Sequence, residues 1–330
     1  MAEVAPIPGW GTIGRMLADN GVRYAGRTAV ADGDKQLTYA ELYDEARIVA
    51  RALIIAGIGR GDLVACWAPN GWRWVVMVHA VWMVGAVIVP ISSRLKVLEA
   101  GPILERTEAQ VLFTVAECAG TRFIDSLRDA YGPSLERLPA LRHLVRLDFS
   151  DFAAFAARGA AADDAALDRA MAAVKPDDIC EIVFTSGTTG TPKGVQLTHR
   201  QLMRSYWEWS GIGGLSTTDN YLVITPFSHG FGLNAGVIAS ALRGMCMVLL
   251  DIFEPITALR LIRQHAISVI GGPPNLFTRL MDQPGVAEDP PRSLRVAFLG
   301  AASVPEEILH RVRSVLGIRR VINAYGLMEA

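Results

Sequence analysis

Cysteine is scarce in this chain: 330 residues hold only Cys66, Cys118, Cys180 and Cys246, each far from the next. No Cys-x-x-Cys and no Cys/His cluster with zinc spacing occurs, which excludes a disulfide framework and a structural zinc site. Four reduced, buried thiols are expected instead. An excess of charge is also missing. Lys and Arg total 32 against 33 Asp and Glu, a net charge of -1, so a nucleic-acid-coating protein is excluded while a local basic site for a phosphate ligand is allowed. The N-terminus shows no basic start followed by an apolar run and a small-residue cleavage site, so secretion is not expected and a cytoplasmic location is. Sequence repeats with a period of about 20 to 50 residues are absent.

An apolar run long enough to read plainly as a membrane span is lacking too. Trp74 to Ile91 is the strongest candidate, 18 residues without formal charge, near the lower limit for a spanning helix. Gly85 offers a helix stop, Ala86 to Val89 is rich in β-branched residues, and Pro90 ends the run. The pattern predicts a buried helix up to about Met83 and then a buried strand. Peripheral membrane contact stays open.

What is present is apolar residue, 51% against 20% charged, enough for a large core. The length suits about two domains of about 150 residues each. Asp32-Gly33-Asp34 between short apolar runs predicts a hairpin. Thr38 and Glu41 have capping-box spacing at the head of a helix whose apolar face is Leu42, Ala46, Val49, Ala50, Leu53 and Ile54. Gly57-x-Gly59-x-Gly61 follows that helix rather than a strand and lacks dinucleotide-site spacing, so it reads as a helix-ending turn. From there apolar strands and helices alternate to the end of the chain, which predicts an α/β protein with mostly parallel sheets. The alanine-rich stretch Phe152 to Val174 is expected to be a helical or partly mobile connection. Two subdomains are expected, 1–175 and 176–330.

The most informative stretch is Ile182-Val183-Phe184-Thr185-Ser186-Gly187-Thr188-Thr189-Gly190-Thr191-Pro192-Lys193-Gly194-Val195. A strand-like run enters a loop of hydroxyls, glycines and one lysine. Glycines let backbone approach an anion, N–H and hydroxyl groups donate to it, and lysine supplies charge. Composition alone leaves a plain surface turn open. The order is not a Walker A motif, which needs Gly-x4-Gly-Lys-Ser/Thr. Instead Thr-Ser-Gly-Thr-Thr-Gly-x-Pro-Lys-Gly resembles the signature of adenylate-forming (AMP-binding) enzymes, the superfamily of acyl-CoA synthetases, luciferases and peptide-synthetase adenylation domains. Three further stretches resemble family motifs in the right order: Pro226-Phe227-Ser228-His229-Gly230-Phe231-Gly232, Gly300-Ala301-Ala302-Ser303, and Tyr325-Gly326-Leu327-Met328-Glu329.

The resemblance implies a layered αβαβα domain of two mostly parallel sheets flanked by helices, as in the large N-terminal domain of acyl-CoA synthetases. It also implies a two-step ligase: a carboxylate attacks the α-phosphorus of ATP to give an acyl-adenylate, and coenzyme A then takes the acyl group. By the same resemblance, Thr185, Ser186, Gly187, Thr188, Thr189, Gly190 and Lys193 hold the phosphates, Lys193 serving catalysis. Gly300, Ala301 and Ala302 leave room for adenine, with Asn323, Ala324, Tyr325 and Gly326 beside them and Tyr325 stacking on the base. His229 lies near the carboxylate and α-phosphate. Glu329 helps bind magnesium, a hard ion suited to oxygen ligands. Phe227, Ser228, His229, Phe231, Gly271 and Gly272 face the acyl group, with Val269 as a further apolar wall. Ser228 stands where amino-acid adenylation domains usually place Asp, which favours an uncharged, fatty or related acyl substrate. No nucleic-acid partner is expected, and the oligomeric state stays open.

Two departures from the pattern bear on activity. Met328 replaces the usual threonine, and a thioether cannot donate a hydrogen bond. The sequence also stops before the family's ribose-binding acidic residue, hinge and small C-terminal domain with its second lysine. Impaired catalysis and an exposed sheet edge are therefore expected, and the alternative is a non-catalytic nucleotide- or acyl-binding remnant. A serine hydrolase is disfavoured, because no Gly-x-Ser-x-Gly occurs.

Overall fold

The computed structural model describes residues 6–185 and 193–326. The chain forms two compact units that interleave in sequence. One holds Pro8–Ala25 with Tyr39–Met203, and the other Gly26–Thr38 with the described residues from Arg204 on. Two consecutive segments meeting at residue 175 were expected. Strand pairing decides otherwise: Glu181 lies opposite Ile88, and Val30 lies opposite Met247. Each sheet thus recruits a piece from across the expected boundary.

In the first unit a six-stranded sheet runs in the order 193–198, 179–185, 87–91, 63–67, 111–114, 143–146. All neighbours are parallel except the 179–185/193–198 hairpin. Strands such as Val87–Ile91 and Val111–Thr114 are buried throughout, the near-continuous apolar pattern that parallel sheets require. The long apolar run resolves into a helix at Trp72–Met83, buried from Trp74 onward, a turn at Gly85 (φ +74°) and the strand Val87–Ile91. Apolar on every side, that helix is a core element. No helix among the described residues is long and apolar enough to cross a membrane. The strand continues past Pro90, with pairing to the 63–67 strand kept as far as Trp67↔Ile91.

Gly57 (φ +75°) ends the helix Tyr39–Ile55, its N–H donating to Ile54 and that of Ile58 to Leu53, as expected for a glycine helix stop. The alanine-rich stretch forms two helices, Ser150–Ala160 and Asp164–Ala173. Asp163 caps the second through the Ala165 N–H, and Asp164 pairs with Arg47 at 2.6 Å and with Arg51. At Gly159 a Cβ would stand 2.0 Å from the Ile48 carbonyl, so only glycine lets the two helices approach this closely.

The second unit holds a seven-stranded sheet in the order 320–323, 296–299, 269–272, 220–223, 246–249, 28–32, 35–38. The last two strands are the predicted hairpin, turned at Gly33 (φ +56°); every other pair is parallel. Register sorts the faces. Leu222, Ile270, Ala297 and Leu299 point to one face, into a buried cluster with the helices Pro255–Gln264, Pro274–Met281 and Glu306–Val315. Tyr221, Val269, Gly271, Val296 and Phe298 share the opposite face. There Gly236 brings backbone against Val223, whose Cγ1 is 2.7 Å from the Cβ position. The single helix expected over Leu233 to Leu242 is instead a short helix at Gly230–Gly232, a π-helix at Leu233–Ile238 and an α-helix at Ala239–Arg243.

All four cysteines are free thiols. Cys66 and Cys180 are buried as expected, and burial raises both well above the usual thiol range; Cys118 and Cys246 are only half-buried.

Candidate functional site

In the first unit, Thr185 ends its strand directly opposite Lys193, which begins the antiparallel return strand. Thr185 is half-buried and Lys193 exposed. The next pair is Phe184 with Gly194, and the missing Gly194 side chain leaves space that the Phe184 ring and Ile182 would otherwise contest at 3.3 and 3.0 Å. Ser186, Gly187, Thr188, Thr189 and Gly190 lie outside the described residues, as do Met328 and Glu329. No cluster of three or more His, Cys, Asp or Glu able to hold a metal occurs among the described residues.

In the second unit, the remaining candidates gather at the carboxyl ends of adjacent parallel strands, where open α/β sheets bind ligands. The Gly300 N–H donates to Gly272 at 3.2 Å, and the Ala324 N–H to Leu299 at 2.7 Å. These bonds carry the ladder just past the aligned row Gly272, Leu299 and Asn323, and bring Gly300 beside Ala324. Gly300 is buried, with Ala324 carbonyl oxygen 2.6 Å from its Cβ position. Ala301 takes a left-handed conformation (φ +61°), unusual for a residue with a Cβ. Ala301, Ala302, Asn323 and Gly326 are exposed, and Tyr325 is 91% exposed. Tyr325 is therefore no core residue. The strand ends therefore offer small exposed residues and one exposed aromatic ring.

The aromatic turn follows the 220–223 strand in the same unit. His229 caps the short helix at Gly230, its Nδ1 accepting from the Phe231 N–H at 3.2 Å. The residue is exposed, but atoms crowding the ring disfavour its charged form and lower its pKa from 6.5. At neutral pH the imidazole is neutral. Gly232 permits the turn, because a Cβ there would meet the Pro226 carbonyl at 2.1 Å. Of the expected acyl-facing residues, Phe231 and Gly271 come together, Phe231 Cε1 being 2.8 Å from the Gly271 Cβ position. Ser228 is half-buried and Phe227 fully buried. Gly272 points the other way, toward Leu276 at 2.9 Å, because successive strand residues alternate faces.

Sequence reasoning missed three aromatic residues on the Gly271 side of the sheet. Trp209, from the helix His199–Ile212, stacks on Phe298 with ring centroids 3.8 Å apart and meets Phe231 edge-on at 6.2 Å. Tyr221 places its hydroxyl 2.7 Å from the Gly271 Cβ position. No local motif marks these residues; the register of the strands and the path of the helix bring them together.

A small-residue strand end and an aromatic turn thus lie at the carboxyl edge of one parallel sheet. The chain belongs to the AMP-binding enzyme family, whose profile matches residues 17–330. It is 42% identical over 307 residues to a (methyl-dioxo-octahydro-indenyl)propanoyl:CoA ligase of Mycobacterium tuberculosis, a match covering 92% of this chain and 59% of that protein. A ligase of the same name from Rhodococcus jostii is 38% identical over 311 residues, covering 92% of this chain and 60% of that protein. Among solved structures, the N-terminal domain of FACL13 from Mycobacterium tuberculosis matches with a TM-score of 0.81 and 25% identity, over 97% of this chain and 76% of that one. The fold is that of the N-terminal domain of acyl-CoA synthetases. The chain spans about three fifths of the length of these two ligases.

Proposed function

We propose that this protein activates a carboxylic acid with ATP, forming an acyl-adenylate, and passes the acyl group to coenzyme A. The observation that carries the reading is the close approach of Gly300 to the Ala324 carbonyl at the carboxyl ends of neighbouring strands, with the exposed Tyr325 directly following. In this reading Tyr325 stacks on adenine, and the small residues Gly300, Ala301 and Ala302 let the base lie against backbone. Lys193 and Thr185, with Ser186, Gly187, Thr188, Thr189 and Gly190 between them in sequence, take the phosphates. Such catalysis is largely positioning and charge neutralisation. His229, neutral and held by the Phe231 N–H, orients the carboxylate toward the α-phosphate. Magnesium, when bound, neutralises phosphate charge, and Glu329 is its proposed ligand.

Two relatives of the same name put one substrate class first: a propanoate attached to a fused bicycle with two ring ketones. This is narrower than the fatty or related acid expected from the motifs. Pyrophosphate exchange dependent on ATP and on that acid tests the reading. Robust exchange supports it. Absence of exchange with the bicyclic acid and with linear fatty acids alike would leave this chain as a non-catalytic binder.

A further inference from the structure

We propose that the second unit carries a further binding site, for a small hydroxylated anion such as a sugar phosphate or a sugar acid. The site lies at the amino edge of the seven-stranded sheet, where Arg27 takes the anionic group. It stands independently of the ligase reading, since none of its residues is a candidate nucleotide or acyl contact.

Strand register builds the site. Gln36 lies opposite Ala31, Ala31 opposite Val248, and Cys246 opposite Asn220. Alternation puts Asn220 on the face of Leu222, and Cys246 on that of Val248. All therefore share the face that the helices Pro255–Gln264, Pro274–Met281 and Glu306–Val315 cover. The first of these helices ends at its C-cap, His265. There a cavity of about 410 Å³ opens onto the sheet. Gln36, Ala31, Cys246 and Asn220 line it, with Arg27, Thr28 and His265. Every one of these residues belongs to the second unit. Asn220 and Cys246 begin their strands, whereas Gly272 ends its own and Gly300 follows the end of the next. The cavity is thus at the opposite edge of the sheet from Gly300 and Tyr325.

Charge selects an anion. No carboxylate lines the cavity, and Arg27 brings the one formal charge among its lining residues at neutral pH. His265 is neutral there, because burial and the Arg260 charge lower its pKa from 6.5. The Arg27 guanidinium donates to the Thr217 carbonyl, which anchors it and leaves further N–H groups for a ligand. Its charge reaches the cavity wall, where it opposes the burial that raises the Cys246 thiol to about 11. A guanidinium fork matches carboxylate or phosphate oxygens in pairs. A helix end with free carbonyls would repel an anion. Here Asn220 Nδ2 donates to the His265 carbonyl at 2.7 Å.

The neutral groups select the body of the ligand. The side chains of Thr28 and Gln36, the His265 ring and Asn220 Oδ1 have no hydrogen-bond partner among the described residues. Together they offer donors and acceptors, and hydroxyl groups satisfy both. Cys246 is a thiol at neutral pH, so it serves as wall and not as nucleophile. An acid with an alkyl body strips water from these polar groups and returns no hydrogen bond, which disfavours it.

Calorimetry of the purified chain with ribose 5-phosphate, gluconate and ribose tests the site. One or both anions are expected to bind, and ribose is not. The tighter of the two tells phosphate from carboxylate recognition. Arg27→Gln is expected to weaken that anion about tenfold, the scale of a lost charge-assisted hydrogen bond. Gln36→Trp fills the cavity from an exposed strand position and is expected to abolish binding. Lys193→Ala is expected to leave it unchanged, which separates this site from the candidate phosphate residues. Melting temperatures show that each variant is folded. No binding of either anion, unchanged binding in Arg27→Gln or in Gln36→Trp, loss of binding in Lys193→Ala, or equal binding of ribose overturns the proposal. Pyrophosphate exchange decides the ligase reading separately, and neither result alters the other.

Discussion

The carbonyl oxygen of Ala324 stands 2.6 Å from the point that a Cβ on Gly300 would occupy, while the next residue, Ala301, has its backbone at φ +61°. The two neighbours therefore respond oppositely to exchange. Gly300→Ala forces a methyl group into a backbone carbonyl and is expected to cost about 1–3 kcal/mol of stability. Ala301→Gly relieves a left-handed conformation and is expected to gain up to about 1 kcal/mol, partly offset by greater freedom in the unfolded chain. Urea denaturation of both variants reads the sign. In the nucleotide reading, Gly300→Ala also weakens ATP binding.

Lys193 faces Thr185 across the hairpin with its side chain exposed. Lys193→Ala is expected to leave the melting temperature unchanged while weakening ATP binding about tenfold or more, the scale of a lost charge-assisted hydrogen bond. Calorimetry with ATP checks it. Unchanged affinity would show that the phosphates bind elsewhere.

His79 and His199 are both buried. Burial lowers the first from 6.5 to about 3 and the second to about 4, the latter against the opposing charge of Asp178. Between those values and 6.5 the unfolded chain binds more protons than the folded one. Their stability contribution is complete above about pH 6.5 and is lost as the pH falls toward 4 and then 3. His199 alone accounts for roughly 3 kcal/mol of that loss. Urea midpoints at pH 7 and pH 4.5 are expected to differ accordingly. Neither ring nitrogen of His79 has a hydrogen-bond partner among the described residues. His79→Leu is therefore expected to flatten the pH dependence and to add about 1 kcal/mol at pH 7.

Asp219, only 1% exposed, accepts from Arg295 Nε at 2.7 Å, from Ser268 Oγ at 2.6 Å and from the Ser216 N–H at 2.9 Å. Burial pushes the carboxyl up, but the hydrogen bonds from Arg295, Ser268 and Ser216 prevail and hold it below 3.8. Arg295→Ala strands a buried carboxylate. A loss of about 2–4 kcal/mol is expected in thermal or urea unfolding, somewhat under the range for fully buried pairs because Arg295 is 40% exposed and screened. Asp219→Asn with Arg295→Ala is expected to cost less than Arg295→Ala alone, because no charge is left unpaired.

The sequence by itself determined the local elements and the family. Gly33, Gly57 and Gly85 all take positive φ at turns read from the sequence, because left-handed backbone strongly favours a residue without a Cβ. The apolar run from Trp74 split into helix and strand where glycine and β-branching said it would. The motifs around Thr185, His229, Gly300 and Tyr325 marked the candidate site, since close backbone approach and a stacking ring require particular residues at fixed spacing. Long-range pairing was not legible. Only the tertiary structure placed the Thr28–Asp32 strand beside Cys246–Leu249, carried the expected helix from Leu233 through a π-helix, packed Tyr221 against Gly271 and stacked Trp209 over Tyr221. These are choices among many compatible partners of similar apolar character. They are decided by register and side-chain volume across the whole sheet, which no short stretch of sequence contains.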